Sequence, residues 1–382
     1  MRLTRLSLTD FRNYRTAALE LPSGVSVFVG ANAQGKTNLL EAIYLLGTYK
    51  SFKTSHNRDL IRMGAGQAVI AGTVDGGGIS RDLEVTLTPT GRRARVNRKP
   101  VRRLEDFFGA CPVILFAPED LSLVKGPPAL RRRFLDRAIF TGWPGYLPAL
   151  QAYLGAVQQK QALLRAAPHM GLAADATREA WDAALVRHGV EVIRRRARLV
   201  AELAPFLASA YRGLAGAAAG EATVTYRPGA RIDPAAPEGE LAAALAAAVE
   251  AAAPEERRRG VVLVGPHRDD LLLALDGRDL RLYGSQGEQR SFVVALKLAE
   301  LALLSERLGT APLFLLDDVA SELDAARRRG LVESLAAAGA QVFLTTTELD
   351  PEISSQLRDI LVFSVSGGTV VPSPGPMPAV GA

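Results

Sequence analysis

Gly30, Gly35, Lys36 and Thr37 stand in the run "GANAQGKT", with the spacing G-x-x-x-x-G-K-T. Residues of these types at this spacing can hold phosphate. The glycines let the backbone curl until its N–H groups point inward at anionic oxygens, and a helix start adds about half a positive charge. Lysine in such a loop reaches the β- and γ-phosphates, and the threonine hydroxyl can ligate Mg2+. The strand-like "VSVFV" before the loop and the helical "KTNLLEAIYLLG" after it supply the context that the motif needs. The cradle expected around ATP is therefore Gly30, Ala31, Asn32, Ala33, Gln34, Gly35, Lys36, Thr37 and Asn38.

A carboxylate pair lies far downstream. "PLFLLDD" is an apolar run ending in Asp317 and Asp318. A parallel strand buried on both faces reads this way, and its C-terminal end is the ligand edge of an open α/β sheet. Asp317 is then the Mg2+ partner and Asp318 faces the attacking water. The plainer alternative is an N-cap for the next helix, although Ser321 or Asp324 can do that capping.

The third candidate is "YGSQGEQR", residues 283–290, which opens a long helical pattern from Glu288 to Arg307. Ser285 and Glu288 fit a capping box. A helix start carrying Ser285, Gln286, Gly287 and Glu288 is also an anion site, and the two readings do not compete. In a symmetric head-to-tail dimer this turn can cap the γ-phosphate held by the other subunit's phosphate loop.

Positioning such groups takes an α/β body. Strand-like and turn patterns dominate the first hundred or so residues, and the helix after the phosphate loop reads as closing on Gly47 as a C-cap. Helical periods take over from about Lys125, and the alanine-rich 235–253 reads as helix or as a solvated variable segment. Strand character returns at "VVLVG", 261–265, and in "PLFLLD" and "QVFLTTT". The expected organisation is a head made of 1–125 and 258–370, an inserted, mostly helical domain at 126–257, and a disordered Pro/Gly-rich tail at 371–382.

Composition narrows the class. The chain has 382 residues, 48% of them hydrophobic, enough for two domains with a sizeable core. No apolar run is long enough to span a membrane, and the N-terminus has no signal-peptide pattern. The single cysteine, Cys111, sits in the apolar "ACPVILF" and reads as core, and its solitude suits a reducing cytoplasm. Net charge is +6. That permits a polyanionic partner, but only seven of the 46 basic residues are lysine, a pattern that a GC-rich genome also produces. "GRRARVNRKPVRR" concentrates Arg92, Arg93, Arg95, Arg98 and Lys99. It is either a solvated hairpin rim or a surface that contacts DNA phosphates without reading bases. The "RRR" runs at 131–133, 194–196 and 257–259 are weaker candidates of the same kind.

Taken in order, the phosphate loop, "SQGEQ", "FLLDD" and "SELD" (321–324, resembling a D-loop) resemble the ATP-binding-cassette ATPase heads of DNA-maintenance proteins. "LSLTDFRNYR", "GANAQGKTNLLEAIYLLG", "FAPEDLSLVKGPPALRRRFLD", "GPHRDDL" and "LLDDVASELD" resemble the RecF family of bacterial recombination-mediator ATPases. The resemblance implies a P-loop ATPase head split in sequence by a helical insertion. It also implies an ATP-dependent homodimer that binds duplex DNA and single-strand/double-strand junctions. Such proteins act with RecO and RecR to direct RecA onto gaps, serve DNA repair, replication restart and the SOS response, and hydrolyse ATP slowly. Carried over by position, Lys36 and Thr37 hold phosphate and Mg2+, Asp317 holds Mg2+, and Asp318 is the hydrolytic carboxylate. Ser285 and Gly287 bind the partner's γ-phosphate, and Arg12 either reaches nucleotide or is a surface arginine.

Two departures from the wider cassette pattern stand out. Asp318 replaces a glutamate and is one methylene shorter, which fits slow hydrolysis. Thr345–Thr347 stand where a histidine is common, and a hydroxyl there can sense the γ-phosphate but accepts protons poorly. "FAPED" occupies the place of a Q-loop glutamine. A transporter subunit fits less well because of the insertion, a long coiled-coil arm because heptads are absent, and a kinase because "SQGEQ" would lack a purpose.

Overall fold

A computed structural model of the chain describes residues 1–166, 173–216, 220–318, 323–348 and 360–373. In chain order the strands are β1 (Arg2–Phe11), β2 (Tyr14–Glu20), β3 (Val25–Val29), β4 (Ala68–Gly76), β5 (Ile79–Thr88), β6 (Gly91–Val96), β7 (Lys99–Pro100), β8 (Val113–Phe116), β9 (Ala222–Arg227), β10 (Asp270–Leu275), β11 (Arg278–Asp279), β12 (Leu313–Leu316), β13 (Val342–Thr346), β14 (Ile360–Ser366) and β15 (Thr369–Pro372). The helices are α1 (Lys36–Thr48), α2 (Asn57–Leu60), α3 (Ser122–Lys125), α4 (Pro128–Gly142), α5 (Tyr146–Ala166), α6 (Ala173–Ala215), α7 (Glu238–Arg259), α8 (Leu280–Tyr283), α9 (Gln286–Leu308) and α10 (Ala325–Ala337).

The chain divides into two compact units. Unit 1 comprises Met1–Leu121, Ser209–Ala219 and Gln286–Ala382, and unit 2 comprises Ser122–Ala208 and Gly220–Ser285. Unit 1 holds two six-stranded sheets, ordered β2-β1-β4-β5-β6-β7 and β15-β14-β3-β13-β12-β8. The first is antiparallel throughout. In the second, β14, β3, β13, β12 and β8 run parallel, and only β15 is antiparallel. The apolar runs "VSVFV" and "LFLL" lie inside it and "VILF" forms its β8 edge; a strand covered on both faces has no need of polar alternation. Gln341, itself buried, joins the two sheets: Leu3 N–H donates to its Oε1 at 2.7 Å, and its Nε2 donates to the carbonyls of Leu3 at 2.9 Å and Pro22 at 2.7 Å.

Unit 2 is mainly helical, with the small sheet β11-β10-β9. Residues 258–285 group with it, whereas the sequence placed them in the head. The reason is pairing: β10 bonds only to β9 and β11, and no strand of either unit 1 sheet takes it up. Nor is 261–265 a strand. Its apolar side chains read as one, but the backbone is held by side chains instead: Val262 N–H donates to Gln161 Oε1 at 3.1 Å and Leu263 N–H to Glu256 Oε1 at 2.8 Å. The alanine-rich stretch is helical, within α7. At the C-terminus, Val371 and Pro372 belong to β15, so the expected disordered tail starts too early; its residues 374–382 lie outside the described residues.

Charged groups in unit 2 are buried in pairs, as burial demands. Lys160 sits between Asp182 and Glu256, 2.6 Å from the latter. Arg131 pairs with Asp270 and Arg196 with Asp136, and both arginines are 3% exposed. These two are therefore internal braces, not phosphate contacts. His267 is structural too: its Nε2–H donates to the Val262 carbonyl at 3.2 Å, and its Nδ1 accepts from the Tyr153 hydroxyl.

Gly47 does not end α1. The helix runs on to Thr48, with Tyr49 as its left-handed C-cap. A Cβ at Gly47 would lie 2.4 Å from Val113 Cγ1 and 2.5 Å from the Cys111 carbonyl oxygen, so this glycine lets α1 approach β8. Gly47→Ala gains roughly 1 kcal/mol of helix propensity. It also drives a methyl into backbone, at a cost of about 1–3 kcal/mol or more. We expect a net fall in stability, read as a lowered urea midpoint. For His267, burial pushes the imidazole pKa down from 6.5 to about 4. The unfolded chain binds a proton that the folded chain refuses, so stability falls as pH drops from 6.5 toward 4. Acidification from pH 7 to 4.5 should cost the wild type about 2–3 kcal/mol more than His267→Gln, measured by urea unfolding at both pH values.

Candidate nucleotide site

Strand β3 delivers the chain into the loop 30–35, and α1 leaves it at Lys36. The loop is bent as phosphate binding requires, with Ala33 at φ +64° and Gly35 at φ +114°. Gly35 has no room for a side chain: a Cβ would lie 2.5 Å from Asn13 Nδ2 and 2.9 Å from the Tyr14 hydroxyl. Gly30 is equally confined, since a Cβ would meet the Val365 carbonyl oxygen at 2.2 Å.

Two distant turns brace the loop. From the β1–β2 turn, Asn13 Nδ2 donates to the Gln34 carbonyl at 2.9 Å, its Oδ1 accepts from Asn38 Nδ2 at 2.9 Å, and the Tyr14 hydroxyl donates to the Gly35 carbonyl at 3.0 Å. From the β14–β15 turn, Gly367 N–H donates to Gln34 Oε1 at 2.7 Å and Gly368 N–H to the Gln34 carbonyl at 3.3 Å. Asn13, Tyr14 and this glycine pair were not singled out from the sequence. The quoted "FRNY" contained the first two, but nothing local marks them as loop braces.

Lys36 lies over the loop, donating to the carbonyls of Gly30 at 2.7 Å and Ala31 at 2.9 Å. Burial lowers its pKa, while the charges of Asp318 and Asp317 oppose that shift. Thr37 Oγ1 donates to Asp317 Oδ1 at 2.8 Å. The two residues expected to hold Mg2+ therefore touch, although 280 positions separate them. Asp317 is buried, and burial pushes its carboxyl pKa up against the lowering effect of hydrogen bonds from Thr37 and Thr345. One hydroxyl and one carboxylate suit a hard cation that takes its remaining oxygens from phosphate and water. The same geometry fits ATP: the glycines keep the cradle clear, and a lysine spans it.

Asp318 has a left-handed backbone, φ +50°. The next helix is capped by Asp324, which accepts from Arg327 N–H at 2.9 Å, so the carboxylate pair does not do the capping. Ser321 and Glu322 of "SELD" lie outside the described residues. Cys111 is core: burial pushes its thiol pKa up to about 12.

Arg12 is turned to protein groups. Its Nε and Nη2 grip both oxygens of buried Glu41 at 2.7 and 2.8 Å, and Nη1 donates to the Asp59 carbonyl at 2.7 Å. It is thus neither a free surface arginine nor, in this structure, pointed at the cradle by any contact. The signature residues straddle the unit boundary, with Ser285 closing unit 2 and Gln286, Gly287 and Glu288 opening α9 in unit 1. Outside its own helix, the atoms that a Cβ at Gly287 would meet belong to Arg327, at 3.1 Å. Arg327 in turn donates to Ser291 Oγ at 2.6 Å.

The basic run forms β6, β7 and their turn. Asn97 and Arg98 both have positive φ, the two-residue hairpin turn between paired Val96 and Lys99. Arg98, Lys99 and Arg93 are exposed. Arg95 pairs with Glu84 at 2.9 Å, and Arg92 is tied inward to Asn57 Oδ1 at 2.7 Å and to the Tyr49 carbonyl. Arg92, Arg93, Arg95 and Arg102 line one groove of about 900 Å³.

The family model described as RecF/RecN/SMC N terminal domain matches residues 2–361. The chain is 44% identical over 372 residues to the DNA replication and repair protein RecF of Anaeromyxobacter sp. (strain Fw109-5), covering 97% of this chain and 99% of that one. It is 41% identical over 372 residues to RecF of Geobacter sulfurreducens, covering 97% and 100%. The chain belongs to the RecF family. A solved RecF structure, described as the recombination mediator protein RecF-ATP in the RecFOR pathway, matches it with a TM-score of 0.88 at 28% identity over 97% of each chain. An Smc head bound to the C-winged helix domain of ScpA matches with a TM-score of 0.56 at 16% identity, which speaks for the fold alone: an α/β ATPase head. Among the described residues, no helix is long and apolar enough to cross a membrane.

Asn13 tests the brace. Asn13→Ala removes two hydrogen bonds that shape the loop without entering the core, each worth about 0.5–1.5 kcal/mol. Affinity for a fluorescent ATP analogue should fall roughly 5- to 50-fold with little change in unfolding temperature.

Proposed function

We propose that this chain is an ATP-switched DNA-binding recombination mediator. It acts in DNA repair, replication restart and the SOS response, in the cytoplasm. The observation that carries this reading is the contact between Thr37 and Asp317, which assembles phosphate loop and carboxylate into one site across two ends of the chain. Family membership supports the rest, since the relatives are DNA replication and repair proteins and a solved RecF structure is described as RecF-ATP.

In this reading, residues 30–38 bind ATP, with Lys36 on the outer phosphates and Arg12 supporting the site through Glu41. Thr37 and Asp317 hold Mg2+, which neutralises phosphate charge and orients the γ-phosphate. Asp318 orients the attacking water, and its short side chain fits slow hydrolysis; DNA binding stimulates that hydrolysis. Ser285, Gln286, Gly287 and Glu288 cap the γ-phosphate of a second copy, so that ATP joins two subunits across paired sites. Arg93, Arg98 and Lys99 offer phosphate contacts to duplex DNA and single-strand/double-strand junctions, with Arg92 and Arg95 shaping the groove behind them. RecO and RecR are the partners through which the dimer promotes RecA loading. The head is formed by 1–125 with the C-terminal portion of the chain, and the helical insertion separates them.

Molecular mass in solution tests the switch. With Mg2+ and ATP the wild type should double in mass, and DNA binding should rise with the dimer. Ser285→Arg should bind ATP with wild-type affinity yet remain monomeric. If both proteins remain monomeric with ATP and DNA present, the paired-site mechanism fails.

A further inference from the structure

The hydroxyls at the end of β13 stand where a γ-phosphate sensor was expected, and the structure gives them other work. Thr345 is 1% exposed. Its Oγ1 donates to Asp317 Oδ1 at 2.8 Å and accepts from the Asp318 N–H at 2.9 Å. The Leu316 carbonyl lies further off, at 3.5 Å. A hydroxyl has one proton and two lone pairs. With the proton on Asp317 and a lone pair on the Asp318 amide, this hydroxyl is committed before any nucleotide arrives. Thr346 is committed as well, donating to the Glu348 carbonyl at 2.7 Å.

We propose that Thr345 is the positioning residue for the aspartate pair, holding Asp317 by its side chain and Asp318 by its backbone with one buried hydroxyl. The inference rests on the reading above, in which Asp317 holds the metal and Asp318 orients water.

The sheet explains why such a residue is needed. The β12–β13 ladder ends with Leu316 opposite Leu344. One step on, Asp317 N–H still donates to the Phe116 carbonyl of β8 at 3.0 Å. At Asp318 the chain turns into the left-handed region, which L side chains rarely adopt, and its amide leaves the ladder. Thr345 Oγ1 takes that amide and fixes the turn. The same oxygen pins Asp317, whose Oδ1 then carries two donors, Thr37 and Thr345. Among the described residues Oδ2 receives no hydrogen bond, so it is the oxygen available to a hard cation or its water. One side chain thus sets two things at once: which oxygen Asp317 presents, and where the Asp318 carboxylate begins.

Thr345→Val keeps the shape and removes the hydroxyl, and Thr345→Ser keeps the hydroxyl. In the nucleotide-free protein, hydrogen exchange of the Asp318 amide should accelerate about 10-fold or more in Thr345→Val and stay near wild type in Thr345→Ser. The Mg2+ concentration needed for half-maximal ATP-analogue binding should rise about 10-fold in the valine variant, and kcat should fall by at least as much. KM for ATP at saturating Mg2+ should change less than about threefold, and serine should restore all three quantities. Unchanged exchange in Thr345→Val overturns the proposal, as does a serine variant as defective as valine, which would mean that only the methyl matters. If Thr345→Val does not fold, Thr345→Ala against Thr345→Ser decides on the same readouts: a wild-type-like serine with a defective alanine supports the hydroxyl, and equal behaviour overturns it. Exchange needs neither nucleotide nor dimer. Faster exchange with unchanged Mg2+ dependence therefore overturns the metal-positioning half and traces the failure to the assignment of Asp317.

Discussion

A single carboxylate oxygen, Asp317 Oδ1, accepts hydrogen bonds from Thr37 on α1 and Thr345 on β13, while Asp317 itself directly follows β12. Three segments remote in sequence must arrive within hydrogen-bond reach of that atom. The parallel sheet makes this possible, because β3, β13 and β12 lie side by side and release their next residues at one edge. A register slip of one residue would turn these side chains to the opposite face. The continuous apolar strands and the close approach at Gly47 are thus conditions for the chemistry as much as for the core.

Charge burial follows the same economy. In unit 1, buried Lys297 meets Asp120 at 3.1 Å, and Asp120 also accepts from the Ala117 amide at 3.0 Å. This ties the "FAPED" turn to the helix that the signature opens. Buried Glu41 is held bidentately by Arg12. Such pairs add little net stability, because desolvation offsets the attraction, yet removing one partner strands a charge. Their effect is to make one arrangement of loops acceptable and its neighbours costly.

The motifs legible in the sequence are those whose parts are contiguous. The phosphate loop, the strand ending in two aspartates and the long helix after "SQGEQ" each carry their own signal within a dozen residues. What escaped was long-range. Asn13 and Gly367 serve the loop from opposite ends of the chain, and Thr345, marked in the sequence only as a hydroxyl able to sense γ-phosphate, bonds Asp317 instead. Two local signals misled. Gly47 looked like a helix cap because a glycine after a helical period usually is one, whereas here it makes room for β8. "VVLVG" looked like a strand because its side chains favour one, whereas Gln161 and Glu256 took its amides. In both cases a competing partner lies outside the motif itself: Val113 and Cys111 for Gly47, Gln161 and Glu256 for "VVLVG".

The β14–β15 turn that walls the phosphate loop touches Gln34 from 333 residues downstream. During synthesis, the glycine-rich motif leaves the ribosome long before the turn that walls it. A growing chain therefore displays the motif without the finished cradle. Prematurely terminated chains lack that wall however well their upstream parts fold.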